Sequence, residues 1–128
     1  MFATVVLVFF GLSFGAFGVW ALAAPQSLSQ LLHFGLETPG AVTELRAFYG
    51  GLELGLCGFL LAAVFFRHLV PGALIALAAI AGGVALGRII GMVLDGSTSS
   101  LMLGVLTWEI AGAVLGVAAY LTLPDANV

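Results

Sequence analysis

Charge is scarce in this chain, and the scarcity decides its class. Only 7% of the 128 residues are charged, against roughly a quarter in a typical soluble domain. There is no lysine, and three arginines with six acidic residues cannot cover the surface of a water-soluble protein of this size. Because 62% of the residues are hydrophobic, the lipid bilayer is expected to be the solvent for most of the surface. The absence of a basic patch argues against nucleic acid as a partner.

Cysteine is also nearly absent. The single Cys57 cannot form an intramolecular disulfide or build a metal site, and its apolar surroundings favour a packing role. His33 and His68 fall in different connections, on opposite sides of the predicted membrane, so they cannot share a metal or a haem. No phosphate-binding loop, nucleophile elbow or cofactor motif occurs, so no cofactor is expected. An enzyme is the least expected class, although a carboxylate pair could perform acid–base chemistry on a lipid.

Four long apolar runs fill most of the chain, and they extend over about 2–24, 39–66, 71–94 and 101–123. At ~1.5 Å per residue each would form a helix of ~33 Å or more, enough to cross a ~30 Å hydrocarbon core. No basic residue precedes the first run, which is longer than the apolar part of a signal peptide, so a retained helix is expected. The predicted fold is all-α: a polytopic membrane protein with a compact four-transmembrane-helix bundle, forming one domain over residues 1–128.

The connection between the first two runs is the only long one. Leucines at helical spacing alternate there with polar residues, which predicts a short amphipathic helix in the membrane interface over about 26–34. An ordered loop is the alternative. The tight turn after the second run holds Arg67 and His68, and the positive-inside rule places such a turn in the cytoplasm. Both termini are then expected to be cytoplasmic.

Glycine is abundant, with 18 residues, and many glycines in the apolar runs are four residues apart. In membranes small residues let helices approach closely, so GxxxG packing is expected either inside the bundle or at the face of a homo-oligomer. The spacing leaves both roles open. The residues concerned are Gly11/Gly15, Gly51/Gly55, Gly83/Gly87/Gly91 and Gly112/Gly116.

A few ionisable residues lie inside the apolar runs. Arg46, Tyr49 and Glu53 recur at three- and four-residue steps in the second run and so share one helix face. Arg88 lies in the third run and Glu109 in the fourth. Counted from the outer ends of their helices, Glu53, Arg88 and Glu109 lie ~15, ~10 and ~12 Å deep. All three therefore reach a similar level in the outer half of the bilayer.

These groups are expected to meet inside the protein. An unpaired charge in hydrocarbon costs at least ~2.5–3.5 kcal/mol, and a guanidinium matches a carboxylate with two hydrogen bonds. A buried salt bridge is therefore predicted between Arg88 and Glu109, Glu53 or both. The predicted charge cluster consists of Glu53, Arg88, Glu109, Arg46 and Tyr49, with Glu44 and Asp95 on its outer rim.

Acids outnumber arginines in and around this cluster, with four carboxylates for two guanidinium groups. One acid beside Arg88 is therefore expected to keep a proton at neutral pH. A proton relay, or a site for a cationic or hydrogen-bonding ligand, would use such a group. A buried Arg–Glu pair can equally serve only to hold the helices in register.

The order of these motifs resembles that of a known family. The sequence resembles the bacterial family called domain of unknown function 4345. The resemblance rests on three motifs in order: an Arg-x-x-Tyr-Gly-Gly helix that continues to Glu53, a helix that runs from Arg88 to Asp95-Gly96, and Glu109 in the last helix. The resemblance covers nearly the whole chain, and extends loosely to the DoxX-like small membrane proteins. It implies a four-helix protein of the bacterial inner (cytoplasmic) membrane, with no known activity.

Three functional hypotheses remain. The leading one is a membrane protein that binds a small or lipid-like ligand, with its polar end at the charge cluster and its apolar body between helices. The first alternative is an interaction protein or accessory subunit of a membrane complex, in which the charges are purely structural. The second is a small oligomeric proton-linked transporter or channel.

Overall fold

The computed structural model of the protein describes residues 1–33 and 35–124, and these residues form a helical bundle without strands. Four helices are long and apolar enough to cross a membrane. They are α1 (Phe2–Ala23), α3 (Pro39–Phe65), α4 (Val70–Asp95) and α5 (Ser100–Leu121), and the short helix α2 (Pro25–Leu32) lies between the first two. The predicted all-α four-helix fold is confirmed, and the chain is a multi-pass membrane protein.

Hydroxyl side chains set two of the helix starts. Thr38 precedes Pro39, and its Oγ1 accepts a 3.2 Å hydrogen bond from the backbone N–H of Ala41. Ser99 likewise accepts from the backbone N–H of Met102 at 3.2 Å, at the start of α5. Each hydroxyl satisfies one of the amide groups that the first turn of a helix leaves without an intrahelical partner.

The long connection between α1 and α3 packs against the bundle. The helix α2 occupies most of the stretch predicted as an interfacial helix, whose last residue, at position 34, lies outside the described residues. Leu28 of α2 is fully buried and clusters with Ala21 of α1 and Leu45 of α3. The connection therefore covers the adjoining ends of α1 and α3.

The bundle consists of two closely packed helix pairs, α1 with α3 and α4 with α5. The pairs meet in one core, where Phe10 of α1, Leu60 of α3 and Leu77 of α4 are almost completely buried. The contact between α3 and α4 is much smaller than either paired contact. This loose contact leaves room for the groove described below.

The glycines differ in how closely a neighbouring helix approaches them. A Cβ added at Gly116 of α5 would lie 3.1 Å from the carbonyl oxygen of Leu74 on α4. At Gly55, Gly83 and Gly87, by contrast, an added Cβ would meet nothing within 4 Å in the described part of the chain. The four-residue spacing alone therefore does not identify the glycines that lie at helix contacts.

Candidate functional site

An ion pair joins α4 to α5 inside the bundle. Arg88 Nε donates to both oxygens of Glu109, at 2.9 Å to Oε2 and 3.1 Å to Oε1, and Arg88 Nη2 also donates to Oε1. Glu109 is only 8% exposed. Because these helices are antiparallel and joined by a short connection, Arg88, about two turns before the end of α4, comes level with Glu109, more than two turns into α5. The predicted buried salt bridge is confirmed, and Glu109 is the partner of Arg88.

Glu53 of α3 lies beside this pair but is not bound to it. The Glu53 carboxyl is close enough to Glu109 for the two groups to interact electrostatically, and Arg88 is within similar range of Tyr49. Among the residues that the structure describes, none donates a hydrogen bond to Glu53 Oε2, although that atom is buried. We call this atom the open Glu53 oxygen. Three helices thus bring Glu53, Tyr49, Arg88 and Glu109 into one region.

Arg46 is bound elsewhere. Its Nε donates a 3.2 Å hydrogen bond to the backbone carbonyl of Leu22, in the last turn of α1. The last carbonyl groups of a helix have no intrahelical partner, and a cation near the C-terminus also matches the helix dipole. Arg46 therefore caps α1, while the predicted cluster placed it with Arg88 and Glu109.

The middle of α3 is wound more loosely than a regular α-helix. Residues Arg46–Gly51 form a π-helical turn, which the continuous helix predicted over this region did not include. The only sequence signal for it is the pair Gly50-Gly51, since glycine weakens a regular helix. Such turns are rare and occur frequently at functional sites. This one contains Tyr49 and ends one residue before the α-helical segment that carries Glu53.

An open groove of about 530 Å³ lies between α3 and α4, below the connecting segment. Its wall is mainly apolar and aromatic, and Glu53 is the lining residue of α3 that lies farthest along the chain from the connecting segment. Phe48 and Leu52 are more than half exposed at this wall. The residues that line the groove are Gly35, Leu36, Ala41, Glu44, Leu45, Phe48, Tyr49, Leu52, Glu53 and Val84.

The two predicted rim residues, Glu44 and Asp95, lie in different places. Glu44 lines the groove near its mouth, whereas Asp95 is exposed at the end of α4 and is not part of the groove wall. Phe48, Leu52 and Val84 were not predicted as site residues, because an apolar side chain in a membrane helix gives no signal that separates a groove wall from a lipid-facing surface. Within the described ranges, no group of three or more His, Cys, Asp or Glu residues could hold a metal ion.

A family model described as a domain of unknown function (DUF4345) matches residues 2–120. The comparisons with curated proteins and with solved structures give no match.

Proposed function

Since the chain belongs to the family described as a domain of unknown function (DUF4345), we propose its function from its own site: it binds a small or lipid-like ligand. The apolar body of the ligand occupies the groove between α3 and α4, and its polar group reaches Glu53 beside the Arg88–Glu109 pair.

The groove supports the proposal by its size and lining. Its volume of about 530 Å³ falls within the roughly 300–1,000 Å³ of typical ligand pockets, which are mostly apolar and contain a few polar groups. The groove is open along the side of the bundle, between two helices that cross the membrane. An amphiphilic molecule can therefore enter it laterally from the bilayer without passing through water.

The open Glu53 oxygen is the observation that carries the proposal. Leaving a buried polar group without a hydrogen bond costs roughly 1–3 kcal/mol, and more when the group is charged. In a purely structural network each acid would have a partner, as Glu109 has in Arg88. Glu53 is part of the groove wall. Because a carboxylate can rotate about its Cγ–Cδ bond, the buried oxygen can turn toward the groove, where a ligand supplies the missing donor. The two alternatives, a complex subunit and a proton-linked transporter, stay predictions.

Blocking the groove tests the proposal. Val84→Trp fills the groove from α4, whereas Val93→Trp adds the same bulk on the opposite face of the helix, nine residues further on. Each variant is reconstituted in phosphatidylcholine nanodiscs with dodecanol as the probe, and bound dodecanol is counted by native mass spectrometry. The wild type and Val93→Trp are expected to bind it saturably, and Val84→Trp to lose most of the binding. Equal binding by all three proteins would refute the site.

The orientation is part of the same proposal. We propose that the protein lies in the bacterial inner membrane with both termini in the cytoplasm, since Arg67 lies in the turn between α3 and α4. The groove then opens toward the outer leaflet. In a Cys57→Ser background, a membrane-impermeant maleimide should label Ser97→Cys in intact cells and leave His68→Cys unlabelled. Labelling at the His68 position alone would reverse the orientation.

A further inference from the structure

The charged residues that line the groove are all acidic. Two acids, Glu44 and Glu53, line it, and the described residues of its wall include no arginine, lysine or histidine. The partly buried Arg88 is already compensated by Glu109, which accepts hydrogen bonds from it with both oxygens. Arg46 of α3 does not line the groove, and its Nε donates to Leu22 O of α1. An anionic ligand would therefore enter beside acidic side chains and would find no basic side chain among the residues that line the groove.

The aromatic residues of the groove favour a cation as well. Phe48 and Tyr49 belong to the same wall as Glu53, and Phe48 is 63% exposed. An ammonium group near the face of such a ring gains roughly 0.5–2 kcal/mol, with the larger values in dry surroundings. A carboxylate with aromatic rings on the same wall is a chemical environment that suits a protonated amine.

From these observations, and resting on the ligand-binding function proposed above, we infer that the ligand is a hydrophobic amine. Its protonated nitrogen donates a hydrogen bond to the Glu53 carboxylate, whose rotation about the Cγ–Cδ bond turns the open Glu53 oxygen toward the groove. Its apolar body lies against Phe48, Leu52 and Val84, which are all exposed at the groove. The ammonium supplies both the donor and the positive charge that this wall lacks.

The position of Glu53 along α3 distinguishes such a ligand from a phospholipid. Glu53 lies near the midpoint of the Pro39–Phe65 span, and so far from the interface where phosphate groups reside. A phospholipid that brought its headgroup to Glu53 would have to bury its phosphate beside two acidic residues. A compact amine has no such group, and the groove volume of about 530 Å³ suits a molecule of drug size.

Three probes of equal chain length test the inference: dodecylamine, dodecanol and dodecanoic acid. Binding to the protein in phosphatidylcholine nanodiscs is measured by native mass spectrometry and by the shift in thermal unfolding, with empty nanodiscs correcting for partition into lipid. The affinity of dodecylamine is expected to exceed that of dodecanol about tenfold or more, because one charge-assisted hydrogen bond contributes a difference of this size. Dodecanoic acid is expected to bind most weakly.

Two substitutions, Glu53→Gln and Glu44→Gln, then show which acid causes the preference for dodecylamine over dodecanol. Glu53→Gln is expected to bring dodecylamine down to the affinity of dodecanol, whereas Glu44→Gln, at the mouth of the groove, retains most of the preference. The ranking of the probes on the wild-type protein does not depend on any variant folding.

The outcomes separate this inference from the proposal on which it rests. If all three probes bind equally and Val84→Trp abolishes their binding, the groove is a ligand site and the amine inference is wrong. The same conclusion follows if Glu53→Gln retains the full preference for dodecylamine. If no probe responds to Val84→Trp, the proposed function itself fails.

Discussion

The contact between α4 and α5 differs from the contact between α3 and α4 in whether its glutamate has an arginine partner. At the first contact the helices pack closely, and Glu109 accepts hydrogen bonds from Arg88 with both oxygens. At the second contact the helices separate around the groove. Glu53 is part of the groove wall, and one of its oxygens is buried without a hydrogen-bond donor among the described residues. Glu109 and Glu53 lie at a similar level but differ in their hydrogen-bond partners, because the first helix contact contains Arg88 and the second contains the groove.

Small side chains explain why the first contact closes. Gly116 of α5 faces the backbone of α4, where a Cβ would lie 3.1 Å from Leu74 O and 3.2 Å from Ala78 N. The groove is instead lined by Leu52 and Val84, about half of whose surface is exposed. Close packing at one contact therefore stabilises the bundle, and the open contact remains available for binding.

The largest effect is expected from breaking the ion pair. Arg88→Met leaves Glu109 without its cation, and Glu109→Gln leaves Arg88 without its anion. Removing one partner of a buried pair typically costs ~3–5 kcal/mol. Unfolding by sodium dodecyl sulfate in mixed micelles, followed by circular dichroism, measures the free energy. The double variant should recover most of the lost free energy of unfolding. If each single variant has a free energy of unfolding within ~1 kcal/mol of the wild type, the pair does not hold α4 to α5.

A smaller effect is expected from forcing the closed contact apart. Gly116→Ala places a methyl group against backbone atoms that cannot rotate away, and overpacking of this kind costs ~1–3 kcal/mol. Gly104→Ala, on the same helix, is the matched control, because its added Cβ would meet nothing within 4 Å in the part of the chain that the structure describes. The same unfolding assay should find the control at or slightly above wild-type stability. Equal losses for both would mean that Gly116 does not mark a close helix approach.

The smallest effect on stability is expected at the open contact. Glu53→Gln removes no ion pair of the described residues, so its free energy of unfolding should lie within ~1 kcal/mol of the wild type. The comparison with Glu109→Gln makes this informative, since the two substitutions are chemically identical. If Glu53→Gln cost as much as Glu109→Gln, Glu53 would have a structural partner and the groove would lose its ligand-binding group.

Sequence reasoning succeeded where a large physical penalty acts on a few residues. Four apolar runs must span a membrane, and charges at a similar depth must find each other, so the helices and the Arg88–Glu109 pair were predictable. The groove was not, because Phe48, Leu52 and Val84 would be equally suitable facing lipid. The bond from Arg46 to Leu22 O was also beyond reach, since it depends on where the end of α1 lies against α3.

Labelling with a membrane-soluble carbodiimide tests the central claim most directly, because this reagent modifies carboxylic acids that are reachable from lipid and hold no counter-charge. The protein in phosphatidylcholine nanodiscs is treated with dicyclohexylcarbodiimide, and the modified residues are identified by mass spectrometry of peptides. The account predicts that Glu53 reacts while Glu109, bound to Arg88, stays unmodified. Modification of Glu109 as fast as that of Glu53 would contradict it.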